Sequence, residues 1–368
     1  MEEVVSFYAY CAVDPEPHAV WQREFGAKLG LLGRVVVAAE GISGTLSGRP
    51  AAIDEYAKAV AARLRPLDLR RAPLGVRAFP DLYVKTSREI VGTGLPAGEP
   101  GEHLEPREFK RRLVDDAIVL DVRNGFEYDV GHFRGAVRAP IRTMAEWARW
   151  VDREGIVEKC RNRDALLYCT GGVRCEKASA FLKARGVRSV AQLEGGIHRF
   201  LDELGDDDLW HGRNFCFDAR EVAPAPSRVV VGRCADCGAP WETHSGRNVC
   251  TVCETLVLVC PACARENHEH YCDVHAYLRS AYCHFLDRYS DAELQVQADN
   301  LHAILRDSDR ARESPNVRRA LRRQIDRISA RARKDTPAYD GPPRCRSCGQ
   351  ASCVGACWGF WKAAAAPL

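Results

Sequence analysis

LLYCTGGVRCEKASAFL, residues 166–182, is the stretch from which the fold reads outward. An apolar strand ends at Cys169, a loop follows over Thr170, Gly171, Gly172, Val173 and Arg174, and a helix is expected to start near Cys175 or Glu176. Two adjacent glycines let the backbone curl so that successive amide N–H groups face inward, and a helix N-terminus adds partial positive charge. Such a cradle stabilises an anion on the Cys169 sulfur. It predicts a depressed thiol pKa, a thiolate at neutral pH, and room for a persulfide or an attacked substrate. Arg174 would reinforce that field. A lone cysteine at a strand end would read as a small buried hydrophobe, but the glycine pair between strand and helix favours the reactive reading. Cys175 either resolves an oxidised Cys169 or packs in the first helical turn. Phosphatase loops of the Cys-x5-Arg type surround a phosphate, whereas Cys169 to Arg174 is one residue shorter and suits sulfur.

Around this loop, strands are expected at 117–122, 165–169 and 189–193, with helices at 105–113, 176–185 and 197–204. Short apolar strands separated by helices imply a parallel sheet covered on both faces, and Gly186 suits a helix C-cap. Upstream, residues 92–106 hold three prolines and four glycines and read as a linker. Before it, Val4–Tyr10 and Arg34–Ala39 are β-rich, Pro17–Leu32 and Ala51–Leu64 are helical, and strands near Val76 and Tyr83 complete a βαββαβ order. That order suggests a ferredoxin-like, acylphosphatase-like sandwich. The chain divides into an N-terminal domain over 1–91, a parallel α/β domain over 104–224, a cysteine-rich module over 230–276, and a helical segment over 277–368.

At 368 residues, 46% hydrophobic and 28% charged, the chain is of ordinary globular composition and long enough for several cores. No run of eighteen apolar residues and no basic, apolar leader occurs, so a cytoplasmic protein without membrane contact is expected. The net charge of +3 does not by itself imply nucleic acid. Its distribution is more informative: Arg318, Arg319, Arg322, Arg323, Arg327, Arg331 and Arg333 would form a cationic surface at helical spacing, either for RNA or as a solvated or protein-binding face.

Most of the 17 cysteines fall in x2-spaced pairs, which in a reducing compartment point to metal. Cys234 with Cys237, Cys250 with Cys253, Cys260 with Cys263, and Cys272 with His275 supply eight ligands, enough for two closed structural zinc sites. Spacing does not say which pairs combine, and His244, His268 or His270 are alternative ligands. Cys345, Cys348, Cys353 and Cys357 suit a third zinc site or, alternatively, an iron–sulfur cluster.

VLDVRNGFEYDVGHFRGA (119–136) and YCTGGVRCEKA (168–178) together resemble the two signatures of a rhodanese domain, placing Asp121, Arg123, Glu127 and His132 in the first. Asp121 and Arg123 then read either as catalytic groups or as an ion pair holding the loop from beneath. Adding SFYAY near the N-terminus, GRVVVAAEGISGTLSG (33–48), LEGGIHRF (193–200), GRNFCFD (212–218) and the cysteine-rich module, the chain resembles the rhodanese-domain tRNA uridine hydroxylases. The resemblance implies oxygen-dependent 5-hydroxylation of the wobble uridine of tRNA, with molecular oxygen as co-substrate. The C-terminal arginine-rich helices and terminal cysteines depart from that pattern. No flavin, haem or facial-triad iron signature is visible, so Cys169 adding to C6 of the uracil is one route to activating C5. A thiosulfate or persulfide sulfurtransferase acting through a Cys169 persulfide, or a non-enzymatic zinc-stabilised RNA-binding scaffold, are the alternative functions.

Overall fold

The computed structural model describes residues 2–75, 77–95, 98–113, 116–205, 208–218, 220, 222–223, 229–307, 315–331, 339–345 and 348–353. These residues fall into two compact units divided between Val231 and Gly232.

The first unit opens with β1 (Glu2–Tyr10), α1 (Pro15–Lys28), β2 (Leu32–Ala38), β3 (Gly41–Gly48), α2 (Pro50–Ala61), β4 (Asp68–Leu74) and β5 (Leu82–Thr86). The sheet order is β4-β1-β3-β2-β5, with β5 parallel to β2 and all other pairs antiparallel. Alternate residues Val35, Val37, Ile42 and Leu46 point inward and bury against Ile53, Tyr56 and Val60 of α2. The βαββαβ expectation is met by β1 to β4, and the strand near Tyr83 is a fifth, additional one. Val76 lies outside the described residues. The glycine-rich stretch 41–48 is itself a strand, and Gly41 permits close approach, since a Cβ there would run into the Ala9 carbonyl.

The stretch read as a linker is built into the second domain. Its end forms β6 (Glu102–Leu104), and the Gly101 amide donates to Ser179 Oγ at 2.8 Å. There follow α3 (Pro106–Leu113), β7 (Ile118–Asp121), α4 (Gly125–Tyr128), β8 (Gly131–Phe133), α5 (Trp147–Arg153), α6 (Ile156–Lys159), β9 (Ala165–Tyr168), α7 (Val173–Ala184), β10 (Val190–Leu193), α8 (Gly196–Leu204), β11 (Trp210–Gly212), β12 (Asn214–Phe215) and β13 (Val222–Ala223). Strands β6-β10-β9-β7 form one parallel sheet. Its two faces bury separate apolar clusters, one around Leu120, Trp147, Leu167 and Leu182, the other around Phe109, Phe133, Tyr168 and Phe200. Helix α7 begins at Val173, earlier than the expected Cys175 or Glu176. Gly172, at φ +100°, turns the chain directly into the helix and so brings Arg174 and Cys175 into its first turn.

In the second unit, α9 (Pro261–Glu266) sits among the cysteine pairs, and α10 (Asp291–Arg306) and α11 (Pro315–Arg331) form a helical hairpin. A capping box between Ser290 and Glu293 starts α10. Val317, Leu321, Gln324 and Ile328 face inward from α11. The cationic face is narrower than seven arginines suggest. Arg327 donates to the His284 carbonyl and Arg331 pairs with Asp291, while Arg319, Arg322 and Arg323 are exposed. Arg333 lies outside the described residues. Among the described residues no helix is long and apolar enough to cross a membrane.

Candidate active site and metal centres

Cys169 terminates β9, and its Sγ receives the Gly172 amide at 3.1 Å and the Arg174 amide as well. Complete burial would by itself raise the thiol pKa. It is outweighed by a hydrogen bond from the Cys175 thiol, the Arg174 charge and the two amides, which together bring Cys169 down to about 6. Cys175, in contact with that thiolate and fully buried, is pushed well above the ordinary thiol range. Cys175 thus serves as a hydrogen-bond donor to the Cys169 sulfur.

Arg174 is held as much as it acts. Its guanidinium makes two bonds of 2.6 and 2.8 Å to the Glu127 carboxylate, whose side chain is fully buried, and one of 2.9 Å to Thr170 Oγ1. Glu127 in turn accepts the Asn124 amide, closing the capping box of α4. Asp121 and Arg123 lie beneath: a bidentate pair of 3.0 and 2.6 Å, 0–1% exposed, with the Tyr168 hydroxyl donating to Asp121 at 2.7 Å. The Arg123 guanidinium lies near the Tyr168 and Trp210 rings, 5.6 and 5.4 Å from their centroids. This geometry supports the loop from below and does not touch the cleft above it. His132 stacks on Tyr128 and meets its carbonyl, away from the sulfur.

Above the loop lies a cleft of about 310 Å³. Thr170, Gly171, Val173 and Arg174 form one side, and Tyr8, Ser43, Thr45, Asp68 and Arg70 of the N-terminal sheet form another. The Cys169 sulfur itself is covered, 0% exposed, and the residues that follow it, Thr170 and Gly171, line the cleft. Gly171 faces open space there. His198, Phe217, Asp218 and Arg220 complete the lining. Burial first, and the Arg220 charge second, drive His198 down to about 4, so its imidazole is neutral. Tyr8 falls in SFYAY, Ser43 and Thr45 in GRVVVAAEGISGTLSG, and His198 and Asp218 in LEGGIHRF and GRNFCFD, whereas Asp68 and Arg70 lie in no motif read from the sequence.

The N-terminal domain is tied to α7, the helix that follows the Cys169 loop. Lys177 of α7 is 3% exposed and forms ion pairs of 2.8 and 2.7 Å with Glu40 and Glu89. The Tyr10 hydroxyl donates to the Val173 carbonyl and that of Tyr8 to Glu176.

The lowered Cys169 pKa has a direct readout. Ultraviolet thiolate absorption of the protein, less that of Cys169→Ser, is expected to titrate near pH 6. A midpoint near the ordinary thiol value of about 8.5 would remove the cradle argument.

In the second unit the x2 pairs interleave. Cys234, Cys237, Cys260 and Cys263 converge on one point and Cys250, Cys253, Cys272 and His275 on another, each set within 4.8 Å. Cys237 and Cys260 Sγ are 3.8 Å apart, and Cys253 and Cys272 Sγ 3.9 Å. Tetrahedral Zn–S bonds of about 2.3 Å place sulfurs roughly 3.8 Å apart, so the donor sets fit that ion. His270 instead meets Asp236 at 2.8 Å, and His244 and His268 also lie outside both sets. Cys345, Cys348 and Cys353 form a third group. Cys357 lies outside the described residues.

Comparison with known proteins follows the same division. Residues 2–90 match the UPF0176 acylphosphatase like domain, 105–203 the rhodanese-like domain, and 211–276 the rhodanase C-terminal region. The chain is 36% identical over 311 residues to a tRNA uridine(34) hydroxylase of Bacillus pumilus, covering 81% of this chain and 92% of that one. The chain belongs to the tRNA uridine(34) hydroxylase family. Two further members bearing that name are 40% identical over 66% of this chain and 80% of theirs, in Enterococcus faecalis, and 32% over 71% and 90%, in Corynebacterium diphtheriae. In this member the rhodanese loop, the N-terminal sheet and the cysteine-rich module all lie within the matched domains.

Proposed function

We propose that this protein hydroxylates C5 of the wobble uridine of a tRNA in the cytoplasm, with Cys169 as the reactive group and molecular oxygen as co-substrate. The observation that carries this reading is the Cys169 thiolate, cradled by two amides behind a cleft of one-nucleotide scale, in a chain similar over nearly the full length of tRNA uridine(34) hydroxylases. Addition of the sulfur to C6 makes C5 electron-rich enough to attack an oxidant. Loss of the C5 hydrogen and expulsion of the thiolate then restore the ring. One oxygen atom ends on C5 and the other leaves as water, with two electrons supplied by an external reductant. A base must leave its stack to be reached, and anticodon loops offer such bases. Zinc in the cysteine groups is structural in this reading and takes no part in the chemistry.

Mass spectrometry of tRNA nucleosides from cells with and without the gene tests the activity. 5-Hydroxyuridine that persists without the gene, alongside thiosulfate-dependent sulfur transfer by the purified protein, would favour a sulfurtransferase.

The exposed arginines of α11 are assigned to the RNA backbone. Replacing Arg319, Arg322 and Arg323 by Gln keeps good helix formers. It should reduce the slope of log affinity against log salt by about 0.7 to 0.9 per residue lost. An unaltered slope would take α11 out of the footprint.

A further inference from the structure

The wall of the cleft facing the Cys169 loop belongs to the N-terminal domain, and its polar groups have a defined hydrogen-bonding sense. Asp68 and Arg70, at the start of β4, pair with Arg70 Nε 3.3 Å from Asp68 Oδ1. Their side chains are 17% and 27% exposed, and both line the cleft. An ionised carboxylate only accepts and a guanidinium only donates. Arg70 Nε is buried and makes no hydrogen bond of acceptable geometry. The guanidinium is pressed against Gly195, at φ +71°, where any Cβ would collide with it. The arginine therefore has a reserved position, its guanidinium fixed beside Asp68 and Gly195.

A pyrimidine base has two opposite edges. The Watson–Crick edge of uracil carries O4, N3–H and O2, an acceptor, a donor and an acceptor. Cytosine presents an amino donor and a bare N3 acceptor at the first two of these positions. A cleft of about 310 Å³ is at the lower end of small-molecule sites and admits one extruded nucleotide. A base whose Watson–Crick edge meets Asp68 and Arg70 turns its C5–C6 bond the other way, within a cleft that Thr170 and Gly171 of the Cys169 loop also line. Recognition and chemistry thus fall on the two edges that the base physically separates.

We propose that Asp68 accepts the N3–H of the extruded uracil while Arg70 donates to an adjacent carbonyl oxygen, so that the N-terminal domain reads the identity of the base. This rests on the hydroxylase reading above. With cytosine the Asp68 carboxylate would face the N3 lone pair, a buried repulsion of the kind that gives strong discrimination.

The test uses the full-length protein and anticodon stem-loop RNAs carrying uridine, cytidine or 3-methyluridine at the wobble position. The wild-type protein should hydroxylate the uridine RNA and turn over the 3-methyluridine RNA at least about tenfold more slowly, the scale of one charge-assisted hydrogen bond. Asp68→Asn should lower kcat/KM on the uridine RNA and narrow the uridine-to-cytidine ratio by a similar factor. RNA affinity, dominated by phosphates, and the Cys169 titration should stay as in the parent. Equal turnover of uridine and 3-methyluridine RNAs by the wild-type protein would overturn the assignment whatever the variant's folding. So would an unchanged uridine-to-cytidine ratio in a folded Asp68→Asn protein. No hydroxylation of the uridine RNA by the wild-type protein would defeat the hydroxylase reading itself.

Discussion

Replacing Cys169 by serine is expected to abolish 5-hydroxyuridine formation, a loss on the order of 10³-fold or more for deletion of a nucleophile. The fold should survive, because the cradle is made by the loop backbone. The Gly172 amide that now meets Sγ at 3.1 Å can donate to a hydroxyl instead. Arg174 remains paired with Glu127 and the Asp121–Arg123 support is untouched. The measurement is nucleoside analysis of tRNA incubated with parent and variant, beside their thermal unfolding. Undiminished 5-hydroxyuridine from a folded variant would remove Cys169 from the mechanism. A serine cannot carry the charge that the loop is built to hold, since its hydroxyl stays protonated where Cys169 ionises near pH 6. Retained activity would therefore mean that no anion is needed at this position.

Removing metal should have an effect of comparable size on the second unit. Purified protein is expected to carry about three zinc ions per chain, two in the interleaved groups and one in the group containing Cys345, Cys348 and Cys353. Apparent binding energies of structural zinc run to about 10–16 kcal/mol in small domains, as large as a domain's typical net stability of about 5–15 kcal/mol. The cluster around these sites is small, and Cys234, Cys250 and Cys272 are themselves part of its buried core. Without metal, the remaining apolar residues, chiefly Val257 and Val259, have little to pack against. A strong chelator should therefore expose residues 233–279 to protease while the first unit, with its own separate cores, stays resistant. Metal analysis showing no zinc, or a chelated protein with an unchanged digestion pattern, would defeat this account.

What the sequence disclosed and what it withheld have physical reasons. The reactive loop was legible because its information is local: two glycines, a strand before them and a helix after them lie within seventeen residues. Even there the helix start was misplaced by two or three residues, since the capping position depends on the left-handed turn at Gly172, which either glycine can supply. The ligand types of the metal groups were legible, but their combination was not. Interleaving joins Cys234 to Cys260 and Cys250 to Cys272 across more than twenty residues, and spacing within each pair is the same in every arrangement. Strand β3 was hidden because small residues replace the usual β-branched alternation where the backbones of β1 and β2 come close. The N-terminal wall of the cleft was hidden for a different reason. Asp68 and Arg70 line the cleft with the loop only through tertiary packing, from positions 68 and 70 against 170–174, and Tyr8 from still further away in sequence.

Lys177 has a consequence for how such a protein can be inherited. A lysine only 3% exposed on α7 is tolerated because Glu40 and Glu89 neutralise it. Both acids belong to the preceding domain. Recombination that joined this rhodanese segment to an N-terminal domain lacking them would strand an ammonium group within one turn of Cys175, at a cost of several kcal/mol. Genetic exchange at the 92–101 boundary is therefore penalised although the boundary looks like a natural joint, and the two domains are held together as one heritable unit by a charge neither can keep alone.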